Sequence, residues 1–262
     1  MPASLPLYQI DAFADRLFAG NPAAVCPLDA WLPERVMQDI ATENNLSETA
    51  YMVPRGDDFD IRWFTPKAEI ELAGHPTLAA AYLILTRLQP SRATVRFHSR
   101  KGDVIDVVRD GDVFSMDFPA RPAKPAGDLP AVGRALGADA AEYLMGRDAV
   151  AVFDREEQVR ALAPDFGKVA ALGYHGVLVT APGRDCDFVS RFFVPNMGIN
   201  EDPVTGSTHC TLIPFWAARL GKDELFARQV SARGGEIFCR HRGERVTIGG
   251  RAVLYMEGRI FL

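Results

Sequence analysis

Two short motifs each combine an acid, a glycine and a hydroxyl or imidazole group ahead of an apolar run. The first, ELAGHPTL, occupies residues 71–78 and contains His75. The second, EDPVTGST, occupies residues 201–208 and contains Asp202. Imidazoles and carboxylates transfer protons well when their pKa values lie near the working pH, so both motifs are candidates for acid/base chemistry. Their similarity, half a chain apart, predicts a site assembled from two related halves.

The same motifs are predicted helix starts, where backbone N–H groups lack partners and the helix dipole favours negative charge. The groups available to a ligand there are Gly74, Gly206, Ser207 and Thr208. If both starts face one cleft, a substrate carboxylate could bind there without any arginine. Two capped helices with no ligand are the alternative, and the acids beside both starts favour the binding site.

A third candidate is Glu48 in NNLSETAY, residues 44–51, where a predicted helix ends and a strand begins. A glutamate at such a junction is usually solvated. If the strand instead begins at the edge of a cleft, burial would raise the carboxyl pKa toward neutrality, as a proton shuttle requires. Glu48 is therefore a candidate general acid/base.

Three other chemistries fit the motifs poorly. Asp202, Ser207 and His209 include the residue types of a hydrolytic triad, but their spacing on one short turn does not suit the relay. The sequence also has no G-x-S-x-G elbow. A zinc site could use His75, Asp202, His209 and Cys210, yet the usual ligand spacings are missing. Nucleotide-binding glycine motifs are missing as well. We therefore predict no metal ligand and no nucleotide cofactor.

The composition is that of an ordinary globular protein, with 262 residues, of which 48% are hydrophobic and 24% charged. A net charge of −5 argues against a nucleic-acid or anionic-membrane partner. No signal-peptide pattern or membrane-spanning apolar run is evident. The four cysteines are far apart in sequence, without a C-x-x-C pair, which is typical of reduced thiols. We expect a cytoplasmic protein with no membrane contact.

An internal repeat divides the chain. RWFTP begins at Arg62 and RFFVP at Arg191, an offset of 191 − 62 = 129. After a three-residue insertion, Gly74 aligns with Gly206 at 206 − 74 = 132. Matches in this order continue over about sixty residues, and a period this long indicates a duplicated domain. We predict halves at 1–120 and 121–262, with the active site in the cleft between them.

Each half is predicted to be α+β, with a curved, mostly antiparallel sheet around one long apolar helix. In the first half this helix begins in GHPTL and ends near Leu88. In the second half Ser207 is the predicted N-cap, Pro214 a predicted kink and Gly221 the predicted stop. The predicted strands of the first half are 7–13, 48–53, 59–64, 94–98, 103–108 and 112–118.

A shorter helix precedes the Glu48 strand. It is predicted to open at Leu32–Glu34, with Pro33 at its first position, and to end near Asn44. Its predicted counterpart in the second half starts at Ala163–Asp165. Both halves therefore share the same order of elements.

Taken together, these motifs resemble the phenazine-biosynthesis PhzF-like proteins. The resemblance is carried by IDAFADRLFAGNPAAVC, NNLSETAY, TPKAEIELAGHPTLAAAYLI and NEDPVTGSTHC, which occur in the family's order. It extends from about Tyr8 to the C-terminal strands. That family is similar in fold to diaminopimelate epimerase, in which two duplicated halves each form a β-barrel-like sheet around a central helix. The resemblance implies this fold, in agreement with the internal repeat.

The resemblance also implies a reaction. The founding enzyme of the family isomerises a dihydro-hydroxyanthranilic acid by moving a proton between ring carbons, without a metal or organic cofactor. Glu48 matches the family's acid/base. His75 and Asp202 match residues that position the substrate and assist proton transfer. Ser207 and the backbone of the two helix starts would hold the substrate carboxylate.

We therefore expect a cofactor-free isomerase of a small carboxylated molecule, acting as a homodimer. One alternative is an amino-acid epimerase or racemase. The epimerase relatives use one cysteine from each half as paired bases, whereas the motifs here carry His75 and Asp202, although Cys210 follows the second motif. The other alternative is a non-catalytic member that binds a ligand or a protein, but such a module needs no acid/base set. The sequence does not specify an aromatic substrate.

Overall fold

The chain folds into two units in the computed structural model, which describes residues 4–262. The first unit contains the chain up to Asp117 together with Gly249–Leu262, and the second contains Phe118–Ile248. The predicted C-terminal half, 121–262, therefore needs a correction, because the chain returns to the first unit at its end. It returns because the last strand pairs antiparallel with the first, from Ser4↔Phe261 to Ala12↔Ala252.

The first unit is a mixed sheet with two helices. Its strands are β1 (Ser4–Ala12), β2 (Asn21–Pro27), β3 (Glu48–Arg55), β4 (Asp58–Phe64), β5 (Glu69–Ile70), β6 (Thr94–Ser99), β7 (Val104–Asp110) and β8 (Val113–Pro119). Its helices are α1 (Glu34–Asn44) and α2 (Gly74–Leu83). The β2–β3 and β4–β6 pairs are parallel. The β1–β2, β3–β4, β4–β5, β6–β7 and β7–β8 pairs are antiparallel.

The second unit repeats this arrangement. Its strands are β9 (Lys124–Pro125), β10 (Glu142–Met145), β11 (Ala149–Val152), β12 (Val177–Pro182), β13 (Phe188–Phe193), β14 (Glu201–Asp202), β15 (Glu224–Gln229), β16 (Gly235–Arg242) and β17 (Arg245–Gly250). Its helices are α3 (Pro130–Leu136), α4 (Glu156–Ala161), α5 (Phe166–Ala171) and α6 (Gly206–Leu220). The last strand of the chain is β18 (Ala252–Phe261), the partner of β1.

The pairing order confirms the duplication. The parallel β2–β3 and β4–β6 pairs of the first unit correspond to the parallel β11–β12 and β13–β15 pairs of the second. The short strands β5 and β14 each pair antiparallel with the strand before them and lead into the long helix of their unit. The fold is α+β with two pseudo-symmetric halves, as predicted.

The central helix of each unit is apolar and buried. Ten residues form α2, eight of them buried, and a π-helical turn, Ile84–Leu88, continues it to the predicted end. Helix α6 runs through Pro214 to Leu220, and Gly221 follows with the left-handed φ of 67° expected of a C-terminal stop. Among residues 4–262, no helix is both long and apolar enough to cross a membrane.

Two predicted helix boundaries need correction. Ser207 is not the N-cap of α6, because Thr205 is the last extended residue and the helix begins at Gly206. Pro33 is not the first helical residue of α1, because it is the N-cap in an extended conformation and Glu34 begins the helix. The predicted counterpart of α1 is confirmed as α5, with Asp165 as its N-cap, and a separate helix, α4, precedes it.

Candidate active site

Glu48 and His75 form a close pair in the first unit. Glu48 Oε2 lies 3.1 Å from His75 Nε2, and the side chains are only 17% and 7% exposed. The two atoms are within hydrogen-bonding distance but are not aligned for a hydrogen bond in this arrangement. Catalytic hydrogen bonds are often poorly aligned without substrate and become shorter when it binds. This pair is the first unit's candidate for proton transfer.

The positions of both side chains follow from the local sequence. Helix α1 ends at Asn44, the left-handed φ of 49° at its C-cap Asn45 turns the chain toward β3, and Glu48 is the first residue of that strand. Parallel pairing with Ala23 of β2 fixes the register of Glu48. His75 is the second residue of α2, so its ring lies at the start of the helix.

Asn21 holds the other side of the imidazole. Its Nδ2 lies 3.3 Å from His75 Nδ1, and its Oδ1 accepts a hydrogen bond from Ser47 Oγ at 3.2 Å. Asn21 is fully buried, so this amide links the β2 strand, the residue before Glu48 and the histidine. Asn21 was not predicted from the sequence. It is the asparagine of the AGNPAAVC segment, and no spacing relates it to the histidine.

Burial lowers the pKa of His75 to about 3, although a hydrogen bond with the backbone of Pro22 opposes the shift. The ring is therefore neutral near pH 7 and has one N–H and one acceptor nitrogen. Depending on the tautomer, Nε2 can donate to an ionised Glu48 or accept from a protonated one. A neutral histidine can thus assist a carboxyl group that alternates between its two protonation states.

Asp202 belongs to a separate network in the second unit. It ends β14, and the hydroxyl of Thr205 donates to its Oδ2 at 2.5 Å. The Gln229 amide accepts from Thr205 N at 2.9 Å and donates to the Asp202 carbonyl at 2.7 Å. Gln229 is fully buried, so it fixes the turn that carries the carboxylate. Thr205 and Gln229 were not identified from the sequence. The prediction that Asp202 and Glu48 serve one cleft remains a prediction.

Ser207 lies in the first turn of α6, beside an arginine that the sequence analysis missed. Arg147 Nη2 donates to Ser207 Oγ at 3.1 Å. An arginine therefore lies at this helix start, where none was expected, and carboxylate binding at the start stays a prediction. Arg147 was missed because it lies in the turn between β10 and β11, sixty positions before Ser207.

The remaining predicted binding residues lie at the same helix starts. Gly74 and Gly206 begin α2 and α6, and neither has a positive φ, so the backbone conformation does not require glycine at either position. Thr208 is buried, and its hydroxyl donates to the Thr205 carbonyl at 2.9 Å. That bond favours a role in the helix start, and contact of these three residues with a substrate stays a prediction.

His209 and Cys210 are buried within the second unit. His209 Nδ1 lies 2.9 Å from the Thr205 carbonyl, and its ring packs 5.8 Å from that of Phe188. Burial lowers the pKa of His209 to about 4 and raises that of Cys210 to about 11. Cys210 is thus mainly a neutral thiol near pH 7, and the thiolate that would act as a nucleophile or base is scarce.

A metal site and a surface groove are weaker candidates for a functional site. In the described part of the chain, no three His, Cys, Asp or Glu side chains are grouped so that they could bind a metal ion. A groove of about 440 Å³ on the first unit is lined by Ile61, Trp63 and Ile70 and by charged residues that pair with each other. In it, Arg62 and Arg100 both bind Glu69, and Lys101 binds Glu71. The Glu48–His75 pair therefore remains the strongest candidate.

Comparisons with known proteins concern the family and the fold of the chain. A family model described as phenazine biosynthesis-like protein matches residues 10–258. A Pseudomonas aeruginosa protein named as an uncharacterized isomerase is 51% identical, with 98% of this chain and 99% of that protein covered.

Solved structures share the fold. A PhzF-family phenazine biosynthesis protein from Enterococcus faecalis gives a TM-score of 0.96 at 46% identity, covering 99% of this chain and 100% of that one. A hydroxyproline epimerase from Agrobacterium vitis gives a TM-score of 0.64 at 13% identity, covering 99% and 93%. The second similarity, at this identity, is one of fold alone.

Proposed function

The chain belongs to the phenazine biosynthesis-like family, and we propose that it is a cofactor-free isomerase that moves a proton within a small carboxylated substrate. The isomerase names of its relatives support the reaction class. The observation that carries the proposal is the 3.1 Å approach of Glu48 Oε2 to the neutral, buried imidazole of His75.

In the proposed reaction, Glu48 takes a proton from one substrate carbon. The C–H bond breaks, a carboxyl O–H bond forms, and the electron pair left behind shifts within the substrate. The carboxyl proton exchanges with solvent, and the carboxyl group then protonates a different carbon, which regenerates the carboxylate and completes the isomerisation. His75 assists by hydrogen bonding to Glu48 in both protonation states, and Asp202 assists from the second unit.

A single buried carboxyl suits this cycle because it must act first as a base and then as an acid. General acid–base catalysis of this kind is typically worth about 10²–10⁴-fold in rate. The substrate carboxylate would bind at the helix starts, with Ser207 as one contact. The reaction is similar in class to that of the dihydro-hydroxyanthranilate isomerase, and the substrate of this chain is proposed only as a small carboxylated molecule.

The proposal is tested by incubating a panel of small carboxylic acids with the purified protein in heavy water. The panel includes cyclic dienoic acids, with an acidic C–H bond adjacent to a double bond, and free amino acids. We expect an isomerised product with carbon-bound deuterium, detected by NMR and mass spectrometry. Deuterium confined to the α-carbon of an amino acid would instead indicate an epimerase or racemase. Tight binding of an acid without any exchange would contradict catalysis and favour a binding protein.

A further inference from the structure

We propose that Arg147 binds the carboxylate of the substrate and selects anionic molecules over their neutral counterparts. The inference rests on the proposed function only in taking the substrate to be a carboxylate. Arg147 lies in the turn between β10 and β11, and its Nη2 lies 3.1 Å from Ser207 Oγ. It therefore adds a fixed positive charge to the residues that the sequence assigns to carboxylate binding.

A buried acid anchors the guanidinium. Arg147 Nε lies 3.2 Å from Asp148 Oδ2, and the Asp148 side chain is only 6% exposed. The other oxygen, Asp148 Oδ1, lies 2.6 Å from His175 Nδ1. Since one carboxylate is shared between an arginine and a histidine, it orients Arg147 without occupying the whole fork. A guanidinium oriented in this way loses little conformational entropy when it binds an anion.

Most of the donors of this arginine remain available. A guanidinium has five N–H donors, and Arg147 uses Nε for Asp148 and one Nη2 hydrogen for Ser207. Within residues 4–262 the structure gives the other three donors no protein acceptor. The side chain is 37% exposed, so a ligand can reach it. Paired N–H groups of this kind match the two oxygens of a carboxylate.

The internal duplication places Arg147 at a position that matters in the other unit. Tyr51 pairs with Arg62 in the first unit, and Val179 pairs with Arg191 in the second, so Tyr51 and Val179 are equivalent at 179 − 51 = 128. Tyr51 also pairs with Cys26, and Val179 with Ala151, so Cys26 is equivalent to Ala151 at 151 − 26 = 125.

The same offset makes Arg147 the equivalent of Pro22, since 22 + 125 = 147. The backbone of Pro22 forms a hydrogen bond with His75, and Arg147 contacts Ser207, which is the equivalent of His75 at the offset of 132. The same position thus contacts the residue at the helix start in both units. In the second unit this position holds a cation, which suits an anionic ligand.

The test uses two pairs of probes that differ in charge but not in shape: benzoate with benzamide, and acetate with acetamide. Each probe is titrated into ¹⁵N-labelled protein and followed by NMR at the Arg147 Nε–H and the Ser207 amide. We expect the carboxylates, but not the amides, to shift both signals. We expect Arg147→Met to weaken benzoate binding about tenfold or more, and Arg147→Lys to weaken it less, because a lysine keeps the charge and loses the fork.

Arg184→Met is the matched control, because Arg184 is also an exposed arginine of the second unit and pairs with Glu157 at 3.2 Å. Its benzoate affinity should equal that of wild type. Melting temperatures and NMR spectra of all variants establish that they are folded. If Arg147→Met does not fold, the benzoate affinity of Arg147→Lys provides the test. Equal affinity of wild type and Arg147→Met for benzoate would overturn the inference. So would equal binding of amides and carboxylates, or no carboxylate binding at these residues.

The binding test does not depend on turnover. Glu48→Gln should keep the wild-type affinity for benzoate, since that substitution leaves Arg147 and Ser207 in place. Carboxylate binding at Arg147 without any proton exchange in heavy water would contradict the proposed isomerase and support the role of Arg147 in binding. Proton exchange in heavy water together with an unchanged benzoate affinity of Arg147→Met would support the proposed isomerase and contradict the role of Arg147.

Discussion

The first unit places Glu48 at the start of β3, and the second unit places Gly176 at the equivalent position, just before β12. His75 and Ser207 are equivalent at the start of the central helix, and Pro22 of β2 is equivalent to Arg147, which precedes β11. The duplicated scaffold is thus retained while the side chains at three equivalent positions differ. The first unit has the carboxyl–imidazole pair, and the second has a hydroxyl and a cation.

Away from these positions the two units keep the same contacts. Arg62 binds Glu69 through two bonds, and Arg191 binds Glu201 in the same way at equivalent positions. Both pairs join the strand before the motif to the short strand that leads into it. The comparison indicates that duplication preserved the parts that position the helix start. It changed the groups at the start itself.

The largest effect is expected at Glu48. Glu48→Gln keeps the size of the side chain and its hydrogen bonding but removes its ability to accept a proton. We expect turnover of a substrate found in the heavy-water screen to fall by about 10²–10⁴-fold. The Michaelis constant should change little. Glu43→Gln, an exposed glutamate near the end of α1, is the control and should keep the wild-type rate. Loss in both variants would point to a folding defect.

His75→Gln should cost less than Glu48→Gln, about 10–10²-fold in turnover, because the imidazole assists the carboxyl and does not itself carry the proton. Steady-state kinetics of the two single variants and the double variant measure this order. We expect the double variant to be little worse than Glu48→Gln alone, since both residues serve one step. If His75→Gln were the more damaging change, the histidine would be the proton carrier in the first unit.

The shared arginines provide a stability comparison. Arg191 binds Glu201 and also donates to the carbonyls of Val159 and Leu162. Arg191→Met leaves all three acceptors without this donor, so we expect it to lower the free energy of unfolding by about 3 kcal/mol. Arg62→Met should cost clearly less.

The difference arises because the second partner of Arg62 is the exposed Glu34. Urea unfolding of the two variants measures both losses. Equal losses would mean that the carbonyl contacts of Arg191 contribute nothing to the stability of the second unit.

Because His209 is buried, we expect the free energy of unfolding of the protein to depend on pH. Burial lowers its pKa to about 4 in the folded protein, below the roughly 6.5 of an unfolded chain. Between these two values the unfolded state binds a proton that the folded state does not, so stability falls as the pH is lowered. One such histidine contributes about 1 kcal/mol per pH unit in that window.

We therefore expect His209→Gln to have a shallower loss of unfolding free energy between pH 6 and pH 5, by about 1 kcal/mol per pH unit. His241→Gln is the control, because His241 is partly exposed and lies 3.4 Å from the exposed Asp223. Its slope should match that of wild type. An unchanged slope in His209→Gln would mean that the buried ring is protonated at mildly acidic pH.

The sequence predicted the repeated elements well, because their signals are local. The apolar run after Gly74 specifies a buried helix, and RWFTP and RFFVP mark equivalent strands. The return of β18 to the first unit was missed, since alternation of side chains along a strand does not specify its partner. The N-cap of α6 was misplaced because two hydroxyl residues, Thr205 and Ser207, both suit that position.

Within the candidate site, motif residues were easier to find than their neighbours. Glu48, His75 and Asp202 lie in segments with unusual composition. Asn21 reaches the site from the first position of β2 and Arg147 from the turn before β11, and both lie far from the motifs in sequence.

The assignment of proton transfer to the first unit is tested most directly by a single-turnover exchange experiment in heavy water. Wild type, Glu48→Gln and Asp202→Asn are each mixed in excess with a substrate from the screen, and deuterium on the reacting carbons is followed by mass spectrometry. We predict that Asp202→Asn still introduces deuterium within one turnover, at a reduced rate, whereas Glu48→Gln does not. Exchange by Glu48→Gln at close to the wild-type rate, or loss of exchange only in Asp202→Asn, would contradict the assignment of proton transfer to the first unit.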